Sequence, residues 1–402
     1  MFTSSYQSGV LATLVMSLPV GEVVAAARSC TTCKGPVHSW DHIPLSLHWA
    51  TPETQSDGSF SAQDLQTVEK FPLVTIEKWQ GSGAANFLWE EDAWVAAAKQ
   101  IKGANPNASV VVWMDTMLVY TGWNTTGTDV NHTLNPDADP NCATGHFRNA
   151  EFLEAPANQG TYLAKNSSSM FALESWSHCH VYDHANPLVR QYWTDMCLNM
   201  TASGYIDGCG ADFSAMEQNN WEAHTTQNIM KQLGMDNETA AAWGAGHRQM
   251  MLDTTTALGD GVLVAKDWRE LGDHANGVIQ EQCPPANGTI VILQNLTAQA
   301  KQLGKRLVYQ CHTSNLEQSL PAFLIGAGVD HYIVFGGWSG GPAAGHWSPL
   351  ADLPLGEPLA DGVYDPATGN WTRSFKSGTT VSFDPVARSG TVHWSTGHVT
   401  RS

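Results

Sequence analysis

Carboxylates close several runs of sequence that read as β-strands: Glu77, Asp115, Asp183, Asp212, Asp267 and Glu281. Two such groups whose surroundings push their pKa values apart can divide the work of acid and of base or nucleophile. Asp212 stands out, because it ends the run Ile-Asp-Gly-Cys-Gly-Ala-Asp over 206–212. The two-residue period of a strand puts Asp212 and Gly210 on one face and Asp207 on the other. Glu281 lies in the otherwise uncharged stretch 278–283, where loss of water would keep a proton on a carboxyl, as a general acid requires. Asp267 follows Lys266 directly, a neighbour that favours the ionised form, so it is the second choice for the acid. Asp212 and Glu281 are therefore the expected catalytic pair. Tyr182, Asp183, Trp113, Lys266, Asp267, His312 and Trp338 are expected substrate contacts near strand ends. The competing assignment for Asp212 is an N-cap or an ion-paired acid behind a strand.

The elements that must position these residues begin with 178–212. A short β-type run ends at Tyr182-Asp183. An amphipathic helix follows, with Asn186 as its cap, Pro187 in its first turn and Leu188, Tyr192, Met196 and Met200 recurring every fourth residue with Val189, Trp193 and Cys197 beside them, so that one broad face is apolar. Gly204 stops it, and the strand ending in Asp212 comes next. Strand, helix, strand in this order predicts a βαβ crossover with parallel strands. Upstream, strands are expected at 72–77 and 109–115, and a short helix from 61 with Ser61 and Asp64 as a capping box. Downstream, strands are expected at 261–267, 277–281, 306–311 and 331–335, separated by helical patterns. Eight apolar strands, mostly alternating with helices, predict an α/β fold, a (β/α)8 TIM barrel with its chemistry at the C-terminal ends of the strands. The tail alternates like antiparallel strands over 371–375, 379–383 and 390–394. The expected organisation is a signal segment at 1–27, an irregular lead-in at 28–60, a barrel at 61–345 and a small antiparallel β element at 346–402. Residues 117–170, without periodicity, read as an insertion shaping a cleft.

The run 206–213 resembles the fourth-strand motif of barrel glycoside hydrolases, in which Asp-Gly precedes a second Asp five residues after the first. Tyr182-Asp183, Asn186-Pro187, Val189-Arg190 and Tyr192-Trp193 also resemble that group, in particular the poorly characterised hypothetical glycosyl hydrolases of α-amylase-like shape. The resemblance implies that Asp212 is the nucleophile and Asp207 structural. In true α-amylases an Arg stands two residues before the nucleophile; here that place is Gly210, which argues against an amylase proper.

Composition bounds the rest. The chain has 402 residues and a formal charge of −18, a surface that repels phosphate backbones and argues against a nucleic-acid partner. Tryptophan is abundant, at 16 residues, and some indole faces would suit sugar rings. The apolar run 9–16 followed by Ala25-Ala26-Ala27 resembles a secretory signal cleaved before Arg28, although no basic residue leads it. No run is long enough to span a membrane. Asn107, Asn124, Asn131, Asn166, Asn199, Asn237, Asn287, Asn295 and Asn370 each begin a glycosylation triplet, which together with 8 cysteines suits a secreted or endomembrane-lumen glycoprotein with disulfides. Strands 277–281 and 306–311 are neighbours in the expected barrel, so Cys283 and Cys311 should pair. Cys30 and Cys33 read as structural half-cystines. His178-x-His180 has ligand-like spacing, but it lies at a strand's beginning, so no metal is assigned, and no cofactor is called for. The expected function is a secreted glycoside hydrolase acting on an oligo- or polysaccharide. The alternatives are a non-catalytic carbohydrate-binding barrel, or a serine esterase on the Gly-x-Ser-x-Gly run containing Ser339. Oligomeric state is left open.

Overall fold

The structure, a computed structural model, describes residues 29–49, 57–78, 80, 89–119, 172–173, 179–212, 214, 235–266, 272–335 and 347–402. The barrel strands are β1 (Leu45–Trp49), β2 (Leu73–Ile76), β3 (Ser109–Asp115), β7 (Gly208–Asp212), β8 (Val262–Ala265), β9 (Gly277–Gln280), β10 (Val308–Thr313) and β11 (His331–Phe335). They form a closed barrel in that order, with β11 returning to β1. All pairings are parallel. Among the described residues three short strands lie between β3 and β7: β4 (Leu118–Val119), β5 (Ala172–Leu173) and β6 (Cys179–Val181).

The expected βαβ unit is corrected here. The run up to Tyr182-Asp183 is not a barrel strand: β6 pairs antiparallel with β4 and β5 in a separate three-stranded sheet. The missing barrel strand is β1, inside the stretch read as an irregular lead-in. Leu45, Leu47 and Trp49 alternate with Ser46 and His48, and all five are buried. The polar pair faces the barrel interior, and that interior polarity disguised a strand as loop. Strands four to eight of the barrel are those expected, while the first three shift by one.

Parity fills the barrel. Leu73, Val111, Trp113, Val262, Val264, Ile279, Val308 and Tyr332 form one inner cluster, and residues of the opposite parity pack under the helices. Among the described residues the helices are α1 (Ala62–Val68), α2 (Glu90–Ala104), α3 (Pro187–Thr201), α4 (Asn237–Leu258), α5 (Asn287–Leu303) and α6 (Leu316–Gly326). Ser61 caps α1 with Asp64, and Asn186 caps α3 by accepting from the Leu188 N–H at 2.9 Å, both as expected. The Val189 side of the expected broad apolar face is the most deeply buried, and Tyr192, Met196 and Met200 pack partly buried against the core. Val189, Trp193, Cys197 and Thr201 face inward, and Leu188 is 56% exposed.

Three disulfides tie the described parts: Cys30–Cys33, Cys197–Cys209 from α3 to β7, and the expected Cys283–Cys311. Residues 29–44 run across the N-terminal mouth of the barrel. There Asp207, which the sequence marked as structural, accepts from the N–H groups of Lys34 (3.1 Å) and Val110 (2.9 Å) and pairs with Lys102 at 2.5 Å. The tail is a five-stranded antiparallel sheet, β12 (Val363–Asp365), β13 (Asn370–Ser374), β14 (Thr380–Asp384), β15 (Ser389–His393) and β16 (Val399–Arg401). Its Arg373 guanidinium donates to the Leu324 and Ala327 carbonyls at 2.7 and 2.6 Å, satisfying the C-terminus of α6.

Candidate active site

The inward-facing ends of consecutive barrel strands converge on one rim. In chain order they carry His48, Glu77, Asp115, Asp212, Lys266, Glu281 and His312. The strand register sets this. Asp115 lies opposite Asp212, Trp113 opposite Gly210 and Gly210 opposite Val264, so the next inward position past Val264 is Lys266.

Their contacts form a continuous chain. His312 Nε2 lies 3.4 Å from His48 Nδ1, and His48 Nε2 lies 3.4 Å from Glu77 Oε1. Glu77 Oε2 accepts from the Lys78 N–H at 2.7 Å and lies 3.7 Å from the Lys78 ammonium. That ammonium donates to Asp212 Oδ2. Lys266 Nζ lies 2.6 Å from Asp212 Oδ1 and 2.7 Å from Glu281 Oε1. Asp212 thus has a lysine on each oxygen. Burial alone would raise its carboxyl, but Lys266 and Lys78 outweigh burial and hold it well below the usual carboxylate range. Burial would likewise raise Glu77, yet Lys78 and the His48 hydrogen bond keep it lowered. Burial would lower Lys78, and the surrounding Asp212, Glu77 and Asp115 carboxylates raise it instead. Both ions of the Lys78–Asp212 pair therefore stay charged.

Asp212 is also fixed through its backbone. Thr116 donates to the Asp212 carbonyl from its N–H (3.1 Å) and its hydroxyl (2.5 Å). His247 Nε2 reaches the same hydroxyl at 2.9 Å, and His184 Nε2 donates to the Thr116 carbonyl. Both imidazoles are enclosed and kept neutral by burial, His184 down to about 4.

The expected catalytic residues are brought together, since one lysine touches both Asp212 and Glu281. Glu281 departs from expectation in its surroundings. Its side chain is 25% exposed and ion-paired, where the sequence suggested an apolar setting. Of the acids on this rim, Glu77 is 3% exposed and braced between His48 and Lys78, so Glu281 is the better placed to meet an incoming leaving group. Lys266 and His312 lie on the rim as expected. Trp113 does not present a face to a sugar. It is fully buried, and a Cβ on Gly210 would stand 1.8 Å from its ring, so it forms the floor beneath Asp212 in the space Gly210 leaves. Tyr182 is also displaced from its expected role. It packs in the core, and its carbonyl accepts from Trp243 Nε1 at 2.7 Å. Asp183 sits half-buried in the turn before α3, not at a barrel strand end, because β6 is not a barrel strand. Asp267, Trp338, Ser339, His178 and residues 120–171 lie outside the described residues. Among the described residues no group of three or more His, Cys, Asp or Glu is arranged to hold a metal ion.

His48 and Lys78 were missed. The first was signalled by the alternation over 45–49, the second by its place beside the strand-ending Glu77.

Fold and rim together define a (β/α)8 barrel with carboxylates at the C-terminal ends of its strands. The chain belongs to hypothetical glycosyl hydrolase family 15, whose family model matches residues 102–379, and it is a glycoside hydrolase. Among solved structures it is similar to the glycoside hydrolase domain of PelA from Pseudomonas aeruginosa, with 13% identity over 75% of this chain and 96% of that one, at a TM-score of 0.39. It is also similar to a maltogenic α-amylase, AmyB, from Thermotoga neapolitana, with 10% identity over 89% and 93% and a TM-score of 0.46. No curated protein matches.

Proposed function

We propose that this is a secreted, retaining glycoside hydrolase in which Asp212 is the nucleophile and Glu281 the acid and then the base. The observation that carries the reading is the Lys266 ammonium in contact with both carboxylates. The two contacting oxygens can be no farther apart than those two contacts laid end to end. That bound is close to the carboxyl separation of about 5–5.5 Å that retaining enzymes use. Asp212, held ionised by two lysines and aimed by Thr116, suits a nucleophile. Glu281, partly open to solvent at the same rim, suits proton exchange with the leaving oxygen and then with water. The substrate is an oligo- or polysaccharide.

Secretion is supported by the sequons. Asn107, Asn199, Asn237, Asn287 and Asn295 are exposed and Asn370 half-buried, as acceptors of glycans must be. The three disulfides suit an oxidising compartment. Protein recovered from the medium should begin at or near Arg28 and shrink after glycan removal.

The catalytic reading is tested on a panel of aryl glycosides and native polysaccharides, with an aryl ester beside them. Glu281→Gln should lower kcat roughly 10²–10⁴-fold on a native polysaccharide, and Asp212→Asn at least as much, with sugar binding retained in both. Near-normal rates in both variants would exclude the pair and turn attention to Asp267. Binding without turnover by the wild type would favour the carbohydrate-binding alternative, and turnover of the ester alone would favour Ser339.

A further inference from the structure

Lys266 is shared between two carboxylates that have different second supports. Asp212 keeps Lys78 on its other oxygen whether or not Lys266 stays. The Glu281 carboxylate has the Lys266 ammonium as its one cation partner among the described residues. The two contacts, 2.6 and 2.7 Å, are nearly equal, so Lys266 can pass from one carboxylate to the other without any backbone movement.

The chemistry of a retaining glycosidase makes that sharing consequential. In the first half-reaction an Asp212 oxygen bonds to the anomeric carbon, the exocyclic C–O bond breaks, and Glu281 gives its proton to the departing oxygen. Asp212 is then a neutral ester and Glu281 an anion. In the second, a water oxygen bonds to the anomeric carbon, one water proton goes to Glu281, and the ester bond breaks to release the Asp212 carboxylate. Before the first step the ammonium lies between the Asp212 and Glu281 carboxylates. After it Asp212 no longer carries the charge that the ammonium balances, while the contact with Glu281 remains. Lys78 lies on the other oxygen of Asp212 and beside Glu77.

Resting on the carboxylate-pair reading above, we propose that Lys266 is a positioning residue that changes partner from Asp212 to Glu281 as the glycosyl-enzyme forms, and so turns Glu281 from proton donor into proton acceptor.

The test uses the 2,4-dinitrophenyl glycoside of the preferred sugar, whose leaving group departs without a proton. Glycosylation then bypasses Glu281, and only the water step needs it as a base. Wild type, Lys266→Met, Lys266→Arg and Glu281→Ala are compared with and without sodium azide, an anion that attacks without giving up a proton. Lys266→Met should lower kcat at least tenfold and KM with it, leaving kcat/KM within about threefold. It should also show a burst of dinitrophenolate equal to the enzyme present. Azide should restore its kcat and yield the glycosyl azide, and Lys266→Arg should stay near the wild type. Lys266→Gln replaces the methionine variant if that one does not fold. Equal losses of kcat and kcat/KM, with no burst and no azide response, would overturn the proposal and leave Lys266 as a prop for Asp212. A Glu281→Ala variant that azide does not rescue would instead overturn the assignment of Glu281, so the two failures are distinguishable.

Discussion

Asp212 and Gly210 face the same way from one strand, and their neighbours explain both. Gly210 leaves the volume that the Trp113 ring occupies, and the ring forms a floor under the carboxylate. This gives a physical reason for the absence of an α-amylase-type arginine at that place: any side chain there displaces Trp113. Gly210→Ala should therefore destabilise the protein by about 1–3 kcal/mol and lower activity, measured by urea unfolding and turnover; unchanged stability would show that the ring moves freely. The acids were legible because each ends an apolar run, a pattern contained in a few consecutive residues. The lysine and histidine contacts were not. Lys78 meets Asp212 and His48 meets Glu77 from separate strands, and a single sequence carries no trace of which distant residues share a rim. Glu281 illustrates the limit most clearly. Its neighbours in sequence are uncharged, but its neighbour in space is an ammonium.

At the scale of elements, strands with strongly apolar stretches were placed correctly, and the errors fell where local pattern and tertiary context part. The run ending at Val181 is short and joins a small antiparallel sheet, whereas β1 carries polar residues because its inner face lies in the polar centre of the barrel. There Gln310 Oε1 lies 3.4 Å from Ser46 Oγ and 3.5 Å from Thr75 Oγ1. The Cys283–Cys311 pairing was legible once the two strands were read as neighbours, and its Cα atoms lie 5.1 Å apart. Cys197–Cys209 escaped notice because it depends on how α3 rotates against β7. In the chain-entropy account, closing the 28-residue separation between Cys283 and Cys311 contributes roughly 3–4 kcal/mol. Replacing both by serine should lower the urea midpoint accordingly, and peptide mapping under non-reducing conditions should find these two joined. A midpoint that does not move would show that the bond adds nothing to the fold.

The whole molecule encloses several imidazoles in their neutral form. Burial lowers His184 to about 4, His331 to about 3 and His247 well below its ordinary value. In the unfolded chain each titrates near 6.5. Between that pH and the folded-state values the unfolded chain binds more protons, so stability falls as pH falls. Each group costs about 1.4 kcal/mol per pH unit over that window. Burial, with Glu91 and Glu77 nearby, raises Glu90 well above its ordinary value, and this group acts in the opposite sense. Among the described residues four histidines, with His38 also lowered to about 4, stand against two carboxyls raised by burial, Glu90 and Asp330, and leave a net loss; Asp212 and Glu77 add to it as pH falls through the ordinary carboxylate range near 4. Thermal unfolding followed from pH 7 to 4.5 should show a steadily decreasing Tm; a flat profile would mean these histidines are not neutral and enclosed. The central claim for the enzyme is that Asp212 attacks the anomeric carbon. The most direct measurement is mass spectrometry of the enzyme inactivated with a 2-deoxy-2-fluoro glycoside of its preferred sugar and digested with a protease. The account predicts one added sugar, attached at Asp212 in the peptide that contains residues 206–212. A sugar on another carboxylate, or inverted product with no covalent adduct, would contradict it.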